Sequence, residues 1–215
     1  MKPVWRNRRN SSDQRGGARR SRGFTLIDVL VMIVLLGVAA GTMTTLFARL
    51  GAQSAETMRA RQSLALAQSL LDEVLMMPMT FCDPQDARAG VATRAAVGGS
   101  GCASTVDGLG PEPGESRYSA ANRFDNVSDY QGFAMPGPGC AGGICDITGN
   151  LLNGAGSALA ACSASVAVTP QALPGVAGLD ADGRPQGLRV AVTLRCPGRA
   201  DTLLEGVRLR HSPRT

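Results

Sequence analysis

Lysine, histidine and aromatic residues are all scarce in this 215-residue chain. Lys2 is the only lysine, His211 is the only histidine, and phenylalanine, tryptophan and tyrosine together make up 4% of the residues. A phosphate-binding loop needs a lysine after its glycines, and a Ser-His-Asp triad needs a firmly held histidine. His211 lies among the last five residues. The sequence therefore predicts no catalytic residue, and we expect neither an enzyme nor a cofactor.

Positive charge is also scarce once the first residues are set aside. Residues 1–23 contain eight of the 22 lysines and arginines but only one of the 17 acidic residues, which leaves 14 arginines against 16 acids in the rest of the chain. A nucleic-acid interface needs basic side chains clustered on the folded domain and interleaved with aromatic rings. The charge balance therefore argues against nucleic acid as a partner and indicates that residues 1–23 are a basic leader peptide.

A long stretch without charge follows the leader. The twenty residues from 29 to 48 contain no Asp, Glu, Lys or Arg, and as a helix they would span about 30 Å, the thickness of the bilayer hydrocarbon core. We therefore predict a transmembrane helix over residues 24–48. Basic flanks remain on the cytoplasmic side of a membrane, so the chain beyond this helix is expected in the periplasm or outside the cell.

Asp28 lies near the N-terminal end of this predicted helix, directly before the uncharged residues. A carboxylate beside lipid is disfavoured by a few kcal/mol unless it finds a partner. If the chain were cut between Gly23 and Phe24, the new α-amino group would lie four residues before Asp28, and positions i and i+4 share one helix face. The amine and the acid would then pair within one chain or between neighbouring chains.

Three other interpretations of this region stay open. Thr25 and Asp28 have the spacing of a capping box, which makes Asp28 a helix-start residue and is compatible with charge pairing. Val38-Ala39-Ala40 has the small side chains of a secretory cleavage site, which would give a mature chain that begins at Gly41. The leader and helix would also serve as an uncleaved anchor for a bitopic periplasmic enzyme or sensor.

The run from Arg22 to Asp28, followed by the long apolar helix, resembles the N-terminal processing segment of type IV pilins and of type II secretion pseudopilins. The resemblance implies that a prepilin peptidase cleaves after Gly23 and then methylates the new N-terminal residue, Phe24. It also implies that Asp28 takes the place of the glutamate that neutralises a neighbour's terminal amine in the filament. Aspartate is one methylene shorter than glutamate, and the apolar helix lacks the proline that many major pilins have there.

The helix is expected to continue beyond the membrane. Residues 49–77 contain no proline and a single glycine, and Pro78 supplies a stop signal. Four apolar residues of this amphipathic continuation recur at spacings of three and four, and the resulting stripe is predicted to pack on the domain's own sheet: Leu64, Ala67, Leu71 and Val74.

Residues 78–215 are predicted to form a periplasmic, β-rich globular domain. Its first half is dense in glycine, proline, serine and asparagine, which indicates long loops. The ring-rich segment 123–133 is expected to pack on the core, with a binding surface formed by its aromatic rings as the alternative. Three later segments alternate apolar and polar side chains: 163–169, 188–195 and 202–210. In the last segment the apolar positions are Leu204, Val207 and Leu209. This alternation predicts an antiparallel sheet with one solvent-exposed face. The predicted fold class is α+β.

All six cysteines follow the apolar segment, and an even number in an exported, loop-rich domain favours disulfide bonds: Cys82, Cys102, Cys140, Cys145, Cys162 and Cys196. Six cysteines allow many connectivities, so the sequence alone does not fix the pairs. One set joins Cys140 with Cys145 through a glycine-containing loop, Cys162 with Cys196 across neighbouring strands, and Cys82 with Cys102 in the first loop.

Metal binding is not expected from the sequence. The cysteines lack the close-spaced pairs and the nearby histidines of a zinc site. The segment Asp180-Ala181-Asp182-Gly183 has part of a calcium-loop pattern, but it lacks the third acid and the distal glutamate of an EF-hand. We interpret it as a hairpin turn, with calcium binding as the alternative.

Three distal segments are similar to minor pilins of the mannose-sensitive haemagglutinin (MSHA) pilus system, the MshD-like family: residues 67–75, 123–132 and 188–211. The similarity implies a type IV pilin-like fold and a minor subunit that primes, caps or modifies a filament. It implies as partners the inner membrane, prepilin peptidase, the major and other minor pilins and the pilus assembly machinery, with a final place on the pilus or cell surface. Minor pilins of the PilV kind and minor pseudopilins of type II secretion are the related alternatives.

Overall fold

The computed structural model describes residues 23–152, 159, 161–172, 174, 179–180 and 182–210. Most of the predicted leader, residues 1–22, lies outside the described residues. The elements in chain order are helix α1 (Leu26–Met76), a short 3-10 helix (Ser128–Tyr130), and strands β1 (Ala134–Met135), β2 (Ser163–Pro170), β3 (Gly187–Arg195) and β4 (Thr202–Leu209). The chain divides into two compact units, and the boundary between them falls within α1, between Ala52 and Gln53.

The first unit contains the first half of α1. Every residue from Gly23 to Ala52 is exposed, and the helix is long and apolar enough to cross a membrane by length and composition. Its threonine hydroxyls bond to backbone carbonyls three residues earlier; Thr42 Oγ1, for example, donates to the Ala39 carbonyl at 2.8 Å. A hydroxyl satisfied in this way suits an apolar environment, because lipid offers no hydrogen-bond partner.

The second unit is built around an antiparallel sheet in the order β1-β2-β3-β4. β2 and β3 pair from Ser163 with Arg195 to Pro170 with Leu188. Alternate side chains of both strands are buried in one core, since successive residues of a strand point to opposite faces. The predicted strands at 163–169 and 188–195 therefore correspond to β2 and β3. The turn before β4 contains Gly198, whose φ is +73°.

β4 has its apolar residues on both faces, which differs from the sequence prediction. Leu204 packs against the core, whereas Val207 and Leu209 are exposed. Only every second residue of a strand lies on the same face, so residues 204, 207 and 209 cannot all face the core. The predicted alternation was therefore wrong at Val207 and Leu209. Between Leu204 and Val207, Gly206 faces the helix: a Cβ there would lie 2.7 Å from Leu75 Cδ1. The missing side chain lets α1 approach the strand closely.

The second half of α1 packs on this sheet through a narrow apolar face. Ala67, Leu70, Leu71 and Val74 join the same hydrophobic core as β2 and β3. Leu64, by contrast, is 48% exposed, so the predicted stripe was wrong at its first position. The buried residue there is Ser63, whose hydroxyl is satisfied by the Ala60 carbonyl at 2.9 Å. One residue further, about 100° around the helix, Leu64 lies off the buried face.

Three disulfide bonds hold the loops and the sheet together. They join Cys82 with Cys102, Cys140 with Cys145, and Cys162 with Cys196, with Cα–Cα distances of 5.5, 5.9 and 4.2 Å. These are the three pairs of the set proposed from the sequence. Each bond is expected to stabilise the fold by about 2–4 kcal/mol, because it restricts the unfolded chain.

Candidate functional site

The predicted cleavage point lies in exposed, non-helical chain. Gly23, Phe24 and Thr25 precede α1 and have no regular secondary structure, and Phe24 is 85% exposed. A peptidase acts on an accessible peptide bond outside a helix, because helical backbone groups are occupied by their own hydrogen bonds. The Gly23–Phe24 bond meets this geometric requirement.

Asp28 and Thr25 form a reciprocal cap at the start of α1. The Thr25 backbone N–H and hydroxyl donate to Asp28 Oδ2 at 3.0 and 2.8 Å, and the Asp28 N–H donates to Thr25 Oγ1 at 3.3 Å. This is the capping-box alternative of the sequence analysis, with aspartate in place of the usual glutamate or glutamine. Among the described residues only Oδ2 is used, so the exposed Oδ1 is free to accept a bond from another cation or amine.

The helix that follows exposes a continuous apolar surface. More than a dozen large apolar side chains between Val29 and Leu50 are at least 48% exposed. Exposed apolar surface of this extent is typical of helices that contact lipid or other apolar helices. The described part of the first unit therefore presents two features side by side, an accessible Gly23–Phe24 bond with a nearby carboxylate, and an uncovered apolar helix.

Within the second unit, a buried polar network links the second half of α1 to the loops that follow it. Arg117 donates to both oxygens of the Glu73 carboxylate at 2.7 Å, and Tyr130 donates to Glu73 Oε1 at 2.7 Å. The guanidinium also donates to the Asp146 carbonyl at 3.0 Å and lies 5.5 Å from the Phe133 ring centre. Burial alone would lower the pKa of Arg117, but its hydrogen bonds and charge interaction with Glu73 outweigh it and raise the pKa.

The tyrosine of this network is held as a hydrogen-bond donor. Tyr130 is fully buried, and burial, together with the Glu73 charge, raises the pKa of its hydroxyl well above the usual value. Its ring packs edge-on against Phe124 at 5.1 Å between ring centres. The expected packing of segment 123–133 on the core is thus confirmed, and the network is a structural anchor between helix and loops.

Both aspartates of the calcium-like segment, Asp180 and Asp182, are held by neighbouring residues. Asp180 Oδ2 pairs with Arg210 at 2.6 Å, and Asp180 Oδ1 accepts the backbone N–H groups of Asp182 and Arg184. Asp182 pairs with Arg94 at 2.8 Å. Both carboxylates are therefore engaged by arginines and amides, as expected for the hairpin-turn interpretation. His211, the only histidine, lies outside the described residues.

Acidic side chains gather instead in the loops between α1 and β1. One group comprises Asp107, Glu112 and Asp129, and the other comprises Asp83, Glu115 and Asp125. Burial raises the pKa of Asp107 and of Asp129 to about 7. Burial, together with the neighbouring Glu112, raises the pKa of Glu115 to about 8. These groups were not predicted from the sequence, although five of the six acids fall between residues 107 and 129.

A buried carboxylate organises the first disulfide loop. Asp86 is 8% exposed and accepts backbone N–H bonds from Arg88, Ala103, Ser104 and Thr105 at 2.7–2.9 Å. These bonds, above all those from Thr105 and Ala103, hold the pKa of the Asp86 carboxyl well below its usual value. They close the loop that the Cys82–Cys102 bond spans.

This depressed pKa predicts a specific loss of stability in acid. A carboxyl whose pKa is lower in the folded state stabilises the fold above its unfolded pKa of about 4, and the contribution is lost as the pH falls through the folded value. We expect Asp86→Asn to be destabilised relative to wild type at pH 6 and the difference to shrink between pH 4 and pH 2. Urea unfolding across this range measures it. Asp72→Asn, at an exposed position of α1, is the control and should follow wild type throughout; a constant difference for Asp86→Asn would contradict the prediction.

Comparisons of this chain with protein-family models, with curated proteins and with solved structures found no match. The assignment of function therefore rests on the residues and the geometry described above.

Proposed function

We propose that this chain is a minor pilin, a subunit processed by prepilin peptidase and incorporated into a type IV pilus of the MSHA kind. The observation that carries the proposal is the first unit: an accessible Gly23–Phe24 bond, a capped acid at Asp28 and an uncovered apolar helix follow one another without interruption. The α+β architecture of the second unit, a helix on a disulfide-linked antiparallel sheet, is compatible with a pilin-like fold.

In the proposed mechanism the precursor rests in the inner membrane with its basic leader in the cytoplasm and its second unit in the periplasm. Cleavage after Gly23 creates a new amine at Phe24, which is then methylated. Assembly moves the apolar helix from lipid into a bundle of pilin helices, where its exposed side chains are covered. Asp28 of this or a neighbouring subunit pairs with a terminal amine, which removes the cost of an isolated charge. As a minor subunit it primes, caps or modifies the filament of major pilins.

Mass spectrometry of the N-terminus of the native protein tests this proposal. We expect a mature chain that begins with methylated Phe24. A chain that begins at Gly41 would identify a secretory signal, and an intact Met1 would identify an uncleaved anchor for a periplasmic enzyme or sensor; either result would overturn the proposal. Co-purification with a major pilin, rather than with a type II secretion pseudopilin, distinguishes the two filament systems.

Two matched glycine variants sharpen the test. Gly23→Val should leave the leader attached, since the family peptidase cuts after glycine, whereas Gly37→Val, within α1, should be processed normally. A Cβ at either position meets no atom within 4 Å in the described chain. A steric disturbance of the fold would therefore not explain a difference between the variants, and equal processing of both would count against cleavage at Gly23.

A further inference from the structure

The two acidic groups of the second unit adjoin one another and form one acidic cluster. Within each group, one carboxylate oxygen of every member lies within 4.8 Å of one from each of the others. The groups are joined by hydrogen bonds: the Glu112 N–H donates to Glu115 Oε2 at 3.3 Å, and the Asp125 N–H donates to Asp129 Oδ2 at 2.9 Å. Six carboxyl groups therefore share one small region.

The backbone that carries this cluster is held by covalent and hydrogen bonds. Asp83 directly follows the disulfide-bonded Cys82, and its N–H donates to the Thr105 carbonyl at 3.3 Å. The Asp107 N–H donates to the Phe81 carbonyl at 3.1 Å, which places the two acids on paired segments. A turn closed by the bond from Glu115 N–H to the Glu112 carbonyl, also 3.1 Å, brings in the remaining loop. The acids are thus positioned by the fold.

Asp129 has a buried oxygen that no described residue satisfies. Its side chain is 1% exposed, and its Oδ2 accepts the N–H groups of Asp125 and Asn126 at 2.9 and 2.6 Å. Its Oδ1 has no hydrogen-bond partner in the part of the chain that the structure describes. An unpaired buried carboxylate oxygen is costly, because it has lost water and gained nothing in return. A cation is the kind of ligand that satisfies it.

A second unsatisfied oxygen lies on the same turn. Asn126 is fully buried, and its Oδ1 has no partner among the described residues. The orientation of this amide follows from its neighbour: the Thr80 hydroxyl donates to the Cys82 carbonyl at 2.6 Å, so Thr80 Oγ1 accepts from Asn126 Nδ2 at 2.9 Å. The turn from 125 to 129 therefore buries two oxygen acceptors to which no described residue donates.

We propose that Asp107, Glu112 and Asp129 bind a calcium ion, next to the carboxyl groups of the adjoining group. All the candidate ligands are oxygens, which suits a hard cation. Magnesium keeps most of its water and uses one or two carboxylates, whereas calcium accepts a larger and less regular set of oxygens. A surface cleft of about 230 Å³ reaches Asp129, and Glu115 and Arg117 also line it. From the cysteines and residues 180–183, the sequence led us to expect no metal site. The proposed site lies elsewhere, between α1 and β1.

Calcium titration of the full-length protein in detergent, after treatment with chelator, tests this proposal. Isothermal titration calorimetry should show a saturable binding event, and Tm should rise with calcium concentration. Glu112→Gln should weaken calcium affinity by at least about tenfold, since even the loss of an outer-shell partner costs that much. Asp129→Asn should do the same. Asp72→Asn, which removes an exposed acid away from the cluster, should bind as wild type does.

The two cluster variants keep the test decisive. Asp129 also accepts two backbone N–H bonds, so its replacement can weaken the fold, whereas the Glu112 side chain accepts no backbone bond from a described residue. Absence of calcium binding by wild type, wild-type affinity in Glu112→Gln, or an equal loss in Asp72→Asn would overturn the proposal. An equal response to magnesium would overturn the assignment to calcium. None of these outcomes depends on whether the leader is cleaved, so this inference stands or falls separately from the proposed function.

Discussion

Replacing Arg117 by methionine is expected to lower the free energy of unfolding by about 3–5 kcal/mol. Arg117 is 4% exposed, and its guanidinium donates to both oxygens of Glu73 at 2.7 Å. Methionine occupies much of the same space but leaves the Glu73 charge largely buried without its cation. For a chain of this length the loss corresponds to a fall in Tm of about 10 °C. Thermal unfolding of the full-length protein in detergent, followed by circular dichroism, measures it.

Two controls separate this effect from the loss of any arginine. Arg195 pairs with Asp201 at 2.9 Å, but the two side chains are 63% and 51% exposed, so Arg195→Met should cost only about 0–1 kcal/mol. Adding Glu73→Gln to Arg117→Met should restore part of the stability, because the amide keeps an acceptor for Tyr130 and removes the unpaired charge. Equal Tm values for Arg117→Met and Arg195→Met would contradict the prediction.

The parts of the fold that repeat with a regular period were predictable from the sequence. The unbroken helical segment corresponds to α1, which ends at Met76, before Pro78. The alternation in β2 and β3 correctly separated their buried and exposed residues, because each strand has one face on the core. Local signals of this kind determine which face of an element is apolar.

The errors occurred where an element has only part of a face against the core. Leu64 lies near the start of the part of α1 that packs on the sheet, and the buried side chain there is the neighbouring Ser63. In β4 the positions that face the core include Gly206, where Leu75 lies too close to leave room for a side chain. The apolar Val207 points outward. Apolar character alone does not reveal such positions, since the partner surface decides which side chain fits.

The spacing of residues in the sequence did not predict the polar sites of the second unit. Glu73 and Arg117 are 44 residues apart in the chain, and their pairing depends on where the loop after α1 returns to the helix. The acidic cluster likewise draws Asp83 and Glu112 from separate loops and Asp129 from the short 3-10 helix. The N-terminal segment is the opposite case, because Gly23, Phe24 and Asp28 are close in sequence and their arrangement is local.

Replacing Asp28 by asparagine is expected to reduce incorporation of this subunit into pili by about a hundredfold while leaving cleavage after Gly23 largely intact. In the proposed assembly the carboxylate pairs with a terminal amine in an apolar bundle. Without the carboxylate, the amine would be an unpaired charge there, at a cost of about 2.5–3.5 kcal/mol. This cost corresponds to a change of about a hundredfold in the equilibrium constant for incorporation. Asparagine retains an oxygen that accepts the Thr25 bonds but removes the charge. The fraction of the subunit in sheared pili, relative to that in membranes, is measured by quantitative immunoblotting, and N-terminal mass spectrometry confirms processing.

The reciprocal variant decides whether Asp28 acts through its charge or through its cap. Thr25→Ala removes the hydroxyl that bonds Asp28 Oδ2 at 2.8 Å and accepts the Asp28 N–H at 3.3 Å, yet it keeps the carboxylate. Loss of such a cap costs about 0.5–2 kcal/mol of helix stability. If charge pairing drives assembly, Thr25→Ala is incorporated almost as well as wild type and Asp28→Glu is fully active, whereas Asp28→Asn is excluded. If capping is the whole role of Asp28, the order is reversed: Asp28→Asn assembles and Thr25→Ala fails, because the asparagine still closes the first turn of α1.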